Sequence, residues 1–135
     1  MNKHLIKAEL RITGDDIIPE MITDEMGITP TRTITKGDNI RRTSEKYDYS
    51  AWEYCFNEEE GYDLDAIEMK ILLMFNDKKH IFNVLKSEYK NVSFTISFVV
   101  WISEGSLPGI FLSYNFIKFA SDIYAEIDVD QYLNY

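Results

Sequence analysis

Cysteine occurs once in these 135 residues, at Cys55, which excludes an internal disulfide framework and fits a reducing compartment. The longest apolar stretch, Phe98 to Ile102, is far too short to cross a bilayer. The opening residues, Met1-Asn2-Lys3-His4-Leu5-Ile6-Lys7, carry no apolar run of signal-peptide length, so the chain is expected in the cytoplasm, away from membranes. Positive charge is scarce. Fourteen Lys and Arg against 23 Asp and Glu leave a net charge of −9, which argues against general nucleic-acid binding, because phosphate contacts need clustered cations. Only two histidines are present, and neither His4 nor His80 has the i,i+4 partner or the cysteine neighbours of a zinc site. Lys36-Gly37 lacks the glycine spacing and following helix of a phosphate loop. Cys55 has no histidine near it in sequence and reads as a small core thiol. The expectation is a protein without catalytic residues, metal or cofactor.

What the sequence does have is material for a core. Hydrophobic residues make up 45% and aromatic residues 14%, including nine Tyr and eight Phe, and the length suits one domain spanning residues 1–135. Ile6, Ala8, Leu10 and Ile12 alternate with polar residues, the period-two pattern of a half-buried strand. Pro19 suits a first helical position, with Gly27 as the C-terminal cap and Pro30 beyond it. Residues 31–47 show no clear periodicity, with a turn at Gly37-Asp38-Asn39. A second strand is expected over 50–56, with Trp52, Tyr54 and Phe56 on one face, and a solvated loop over 57–61. Asp63 or Asp65 can cap a helix carrying Leu64, Ile67, Ile71, Met74 and Phe75, the latter aspartate with Glu68 as a capping box. After a break at Asn76-Asp77 a further helical stretch carries Ile81, Leu85 and Tyr89.

The longest strand follows, with Val92 through Ile102 alternating, then turn residues and a short returning strand over 110–112. Ser113 can cap a helix carrying Phe116, Phe119, Ala120 and Ile123, and a last strand alternates Ile127 and Val129 with acids. These elements describe an α+β domain: a two-layer sandwich with one mixed, mostly antiparallel sheet of about five strands and helices packed mainly on one face.

Two charged features stand out. On the last strand Glu126, Asp128 and Asp130 share one face. Such a row can bind a hard cation, pair with Lys7 and Arg11 if the first and last strands are neighbours, remain a wet face, or dock a basic protein partner. The second feature is basic. From Thr31 to Lys46 five cations face two carboxylates, a net +3 that leaves −12 on the rest of the chain. There Arg32, Lys36, Arg41 and Arg42 could grip a small anion, with Trp52 or Tyr54 stacking on a ring; a mobile charged connection is the plainer reading.

The residues Gly14-Asp15-Asp16, Pro19-Glu20, Ile22-Thr23, Gly27, Pro30-Thr31 and Lys36-Gly37-Asp38 resemble a bacterial family catalogued as a domain of unknown function, DUF4279. The Trp52 strand, the paired helical region, the long strand and the terminal Asp128-Val129-Asp130 strand agree in outline. The resemblance implies a small stand-alone bacterial α+β domain and brings no activity, cofactor or catalytic residue. At Ile18 the chain lacks the polar helix cap the family is expected to place before the proline, which leaves that helix start open.

The leading expectation for function is a non-catalytic bacterial binding protein of the immunity or inhibitor kind, neutralising a toxin or effector through an acidic, aromatic-rich surface. The alternative is a domain that senses or sequesters a small, nucleotide-like anion with the basic 32–46 loop. An enzyme whose carboxylates, Cys55 or His80 are assembled only by the fold is a third reading. Homodimerisation is a further one, since Val99 and Trp101 lie opposite the core face of the longest strand.

Overall fold

A computed structural model describes residues 2–135; Met1, which the single-domain expectation includes, lies outside the described residues. Five strands form one sheet in the order β2-β3-β1-β4-β5: β1 (His4–Gly14), β2 (Arg32–Ile34), β3 (Ser50–Gly61), β4 (Ser93–Ile102) and β5 (Ala125–Leu133). All neighbours are antiparallel except β4 and β5, which run parallel across the crossover helix between them. Four helices, α1 (Pro19–Met26), α2 (Asp65–Phe75), α3 (Lys79–Glu88) and α4 (Tyr114–Asp122), contribute buried residues to a single core on one sheet face. The expected α+β sandwich is thus observed.

The core follows the sequence periods. Ile6, Ala8, Leu10 and Ile12 of β1 meet Phe94, Ile96, Phe98 and Val100 of β4 and Trp52, Tyr54 and Phe56 of β3. The helices close over them with Ile22 and Met26, Ile67, Ile71 and Phe75, Ile81, Phe82 and Leu85, and Phe116 and Phe119. Helix α1 does start at Pro19, although Ile18 supplies no side-chain cap: the proline has no N–H to satisfy, so the missing cap costs less there. Gly27 ends it in the left-handed region at φ 67°, where a side chain would be strained. Ser113 caps α4 as expected, its hydroxyl accepting from Phe116 N–H at 3.2 Å.

Several expectations are corrected. Residues 57–61 continue β3 rather than forming a loop, and a bulge opposite Lys7 shifts the register between Ile6 and Ala8. That extra residue turns Glu59 to the helical face, where it pairs with Lys70 of α2. Residues 110–112 form no strand; Gly109 makes one isolated bridge with Asp63. The fifth strand is instead β2, a three-residue edge segment. A 3₁₀ turn, Asn76–Lys78, separates α2 from α3.

The capping box at Asp65 does not form either, since Leu64 is the cap residue and Glu68 points elsewhere. Only 2% exposed, Glu68 accepts from Ser113 N–H at 3.0 Å and so ties α2 to the start of α4; its second oxygen has no partner among the described residues. Burial pushes its pKa up, the Ser113 hydrogen bonds oppose this, and Asp65 and Asp63 add to it. Between the ordinary carboxylate pKa and this raised value the folded state holds a proton that the unfolded chain has released. Stability therefore falls as pH rises through that window and is flat above it. Glu68→Gln keeps an oxygen for Ser113 and removes the titration. Denaturation from pH 4 to pH 8 should show the variant gaining on the native chain as pH rises; parallel curves would place no shifted carboxyl here.

Candidate functional site

The helices leave the other sheet face uncovered by helix, and the register fixes what lies on it. Cross-strand rows run Glu60-Leu5-Trp101-Tyr132, then Lys7-Val99-Asp130, Cys55-Glu9-Ser97-Asp128, and Arg32-Glu53-Arg11-Thr95-Glu126. At the β2 end the segment 35–49 folds over this face. There Tyr49 accepts a hydrogen bond from Arg11 at 3.0 Å, and Ile34 and Ala51 are buried. At the β5 end nothing among the described residues covers the side chains of Glu126, Asp128 and Asp130, which are all exposed.

Pairing of these acids with Lys7 and Arg11, which required the first and last strands to be neighbours, does not occur, because β4 lies between β1 and β5. Two strand spacings, about 10 Å, separate the two sets, and the nearer neighbours are Thr95, Ser97 and Val99. Arg11 turns instead to β3, its Nε donating to Glu53 at 2.7 Å. Glu126, Asp128 and Asp130 consequently have no ion-pair partner among the described residues. Along a strand, alternate residues stand about 6.6 Å apart. No group of three His, Cys, Asp or Glu among the described residues is placed to hold a metal. The spacing is nevertheless shorter than a Debye length of about 8 Å, so the three charges act on an approaching molecule together. β5 is also an edge strand, with a free row of backbone donors and acceptors beside the acids.

The residues expected to grip an anion are not brought together. Arg32 is occupied, lying 3.8 Å from Glu53 and donating to the Tyr47 hydroxyl at 3.2 Å. Trp52 is fully buried on the opposite, helical face, where its indole N–H donates to Thr23 at 3.0 Å. Tyr54 shares that face and sets its ring edge-on to Phe56 and Phe75. Neither ring can stack on a ligand held by the loop, since alternation along β3 sends both inward with Phe56. Lys36, Arg41 and Arg42 remain exposed on the excursion between β2 and β3, which is stiffened by the Asn39–Lys46 bridge and by Tyr47 N–H to Asp38 carbonyl at 2.9 Å.

The residue that organises this region is Glu53, which the strand pattern places with Ala51 and Cys55 on the face opposite Trp52 but marks with no role. It is a carboxylate only 4% exposed on the outer sheet face, between two arginines from different strands. Its one sequence signal is a glutamate at a strand position between two aromatic residues, Trp52 and Tyr54.

The remaining reactive side chains lie apart. His4 is buried: its Nδ1 accepts from Ser103 N–H at 3.1 Å, and its Nε2 lies 3.1 Å from the Ser106 hydroxyl, which donates to the Asn2 carbonyl. It latches the 103–106 turn to the first strand. His80 is exposed at the start of α3. Cys55 is half-buried on the outer face beside Glu9, at 3.6 Å; burial, then the Glu9 carboxylate, push its thiol pKa up, away from thiolate chemistry.

Among the described residues no helix is long and apolar enough to cross a membrane. No curated protein matches this chain, and no solved structure does. The family model described as "Domain of unknown function (DUF4279)" matches residues 4–134, nearly the full length, and the chain belongs to that family.

Proposed function

We propose that this chain is a non-catalytic binding protein of the immunity or inhibitor kind, which captures a basic protein partner on β5 and the adjoining open sheet face. The observation that carries the reading is the unpaired row Glu126, Asp128 and Asp130 on an exposed edge strand. A carboxylate row left without cations keeps its field for a partner, and the rest of the molecule reinforces it, since the chain's net −9 leaves −6 once the three carboxylates of the row are set aside. Trp101 and Tyr132 at the end of the row supply amphipathic anchor surface beside the charges.

Self-association through this edge is disfavoured by the same residues. Two copies of β5 paired side by side would bring like charges together across the new ladder, which is destabilising. A strand or loop rich in Lys and Arg meets the opposite situation, gaining backbone hydrogen bonds and charge complementarity at once. The partner face so occluded would be one built to contact phosphate, as in a nuclease.

Affinity capture from a bacterial lysate, with the native chain and the Glu126→Lys, Asp128→Lys, Asp130→Lys triple variant side by side, tests this. A stoichiometric basic protein should come down with the native chain only, with an association rate that falls about ten-fold or more between low and high salt. The variant should keep the native melting temperature, since all three side chains are exposed. Undiminished capture by the triple variant would dispose of this surface.

A further inference from the structure

On the helical face, opposite the sheet face that carries the acidic row, a groove of about 190 Å³ runs between α1 and α3. Ile22, Ile81 and Leu85 form its buried floor, while Ile18, Met21 and Val84 form walls that are 47%, 55% and 50% exposed. Three large aliphatic side chains half-open to water around one concavity are not needed to close the core, whose floor is already sealed beneath them. An apolar void of about 150 Å³ takes up a benzene ring, so this groove has room for one leucine- or phenylalanine-sized side chain.

Its rim is charged with one sign. Glu25 of α1 and Glu88 of α3 line the opening, and neither has an ion-pair partner among the described residues. His80 is the only basic side chain in the lining. An anionic rim around an apolar floor selects an apolar anchor with cations beside it, and repels one flanked by carboxylates.

We propose that the α1–α3 groove is a second docking site, which receives an apolar anchor side chain flanked by Lys or Arg on a basic peptide segment of a partner protein. Its chemistry is independent of the β5 surface: there the partner meets charges and a strand edge, and here it inserts a side chain between helices.

Two synthetic hexapeptides test it, each with a Leu-Phe centre, one flanked by lysines and the other by glutamates. In methyl and amide NMR titrations of the full chain, the lysine peptide should perturb Ile18, Met21, Ile81 and Val84 and bind at least about ten-fold tighter than the glutamate peptide. Val84→Lys, which fills the groove with a side chain of the same charge as the lysine peptide, should abolish the perturbations while leaving the circular dichroism unchanged. The triple variant of β5 should still bind the lysine peptide in the groove, so failure of one surface does not imply failure of the other. Equal affinity for the two peptides, perturbations confined to β5, or no perturbation up to about 1 mM would each overturn the proposal.

Discussion

Replacing Phe75 with alanine should cost about 4 kcal/mol of folding free energy and lower the melting temperature by more than about 10 °C. Phe75 is fully buried at the last position of α2, where α2, the 3₁₀ turn and β3 meet. Its ring stands edge-to-face with Trp52 at 6.3 Å, Tyr54 at 6.0 Å, Phe56 at 6.3 Å and Phe82 at 6.2 Å between centroids. Removal forfeits the transfer free energy of the ring and four quadrupole contacts. It also leaves a void bounded by rigid aromatic rings, which collapse poorly, so the cost belongs high in the range for such truncations. Leu73, two residues earlier on the same helix but 80% exposed, is the internal control, and Leu73→Ala should stay within about 0.5 kcal/mol. Urea denaturation of the two variants decides the matter. A loss below about 1.5 kcal/mol at Phe75 would mean that the aromatic cluster is packed far more loosely than its geometry shows.

The same cluster shows why much of the fold was legible in the sequence. Trp52, Tyr54 and Phe56 alternate on one strand, and Ile67, Ile71 and Phe75 recur at helical spacing. Each pattern names an inward face without reference to any other segment. What such patterns leave out is which element lies beside which. The neighbour of β5 is β4, running parallel, and no local periodicity encodes that; the supposed pairing of Lys7 and Arg11 with the terminal acids failed for this reason alone. β2 was missed because three residues, Arg32–Ile34, are too few to display a period, and their strand conformation is imposed by β3. Residues 57–61 looked like a loop because Glu58-Glu59-Glu60 is poor strand material. There the pairing with β1 overrides propensity, and the bulge gives Glu59 a cation on α2.

The candidate surfaces divide along the same line. The acidic row on β5 was visible because it is local, three residues at period two on one strand. The groove between α1 and α3 was not, since it needs two helices from distant parts of the chain to lie side by side, and its walls read individually as ordinary amphipathic positions. The supposed anion grip was assembled from neighbours in sequence, and the pleat separated them: Trp52 and Tyr54 went to one face while Arg32 went to the other.

Glu53 makes the corresponding energetic point, and Arg11→Met should cost about 3 kcal/mol. The substitution keeps most of the aliphatic volume but takes away the closest cation, leaving a carboxylate only 6% exposed in its side chain with Arg32 at 3.8 Å as its remaining partner. A buried charge stripped of its partner carries the full desolvation penalty, which is why the expected loss exceeds that of a surface ion pair several-fold. It should stay near the lower end of the range for buried pairs, because Arg32 persists and because water already reaches Arg11, which is 34% exposed. Glu53→Gln should cost less, about 1–2 kcal/mol, since both arginines have water to turn to when the carboxylate goes. The double variant should then be less destabilised than the two single losses together by about 1 kcal/mol or more, because removing the carboxylate abolishes the penalty that Arg11→Met exposes. Urea denaturation of all four chains gives this coupling directly. Strict additivity would reduce the Arg11–Glu53 contact to a solvated surface pair, and the covering of this face by Tyr47 and Tyr49 would then need a different cause.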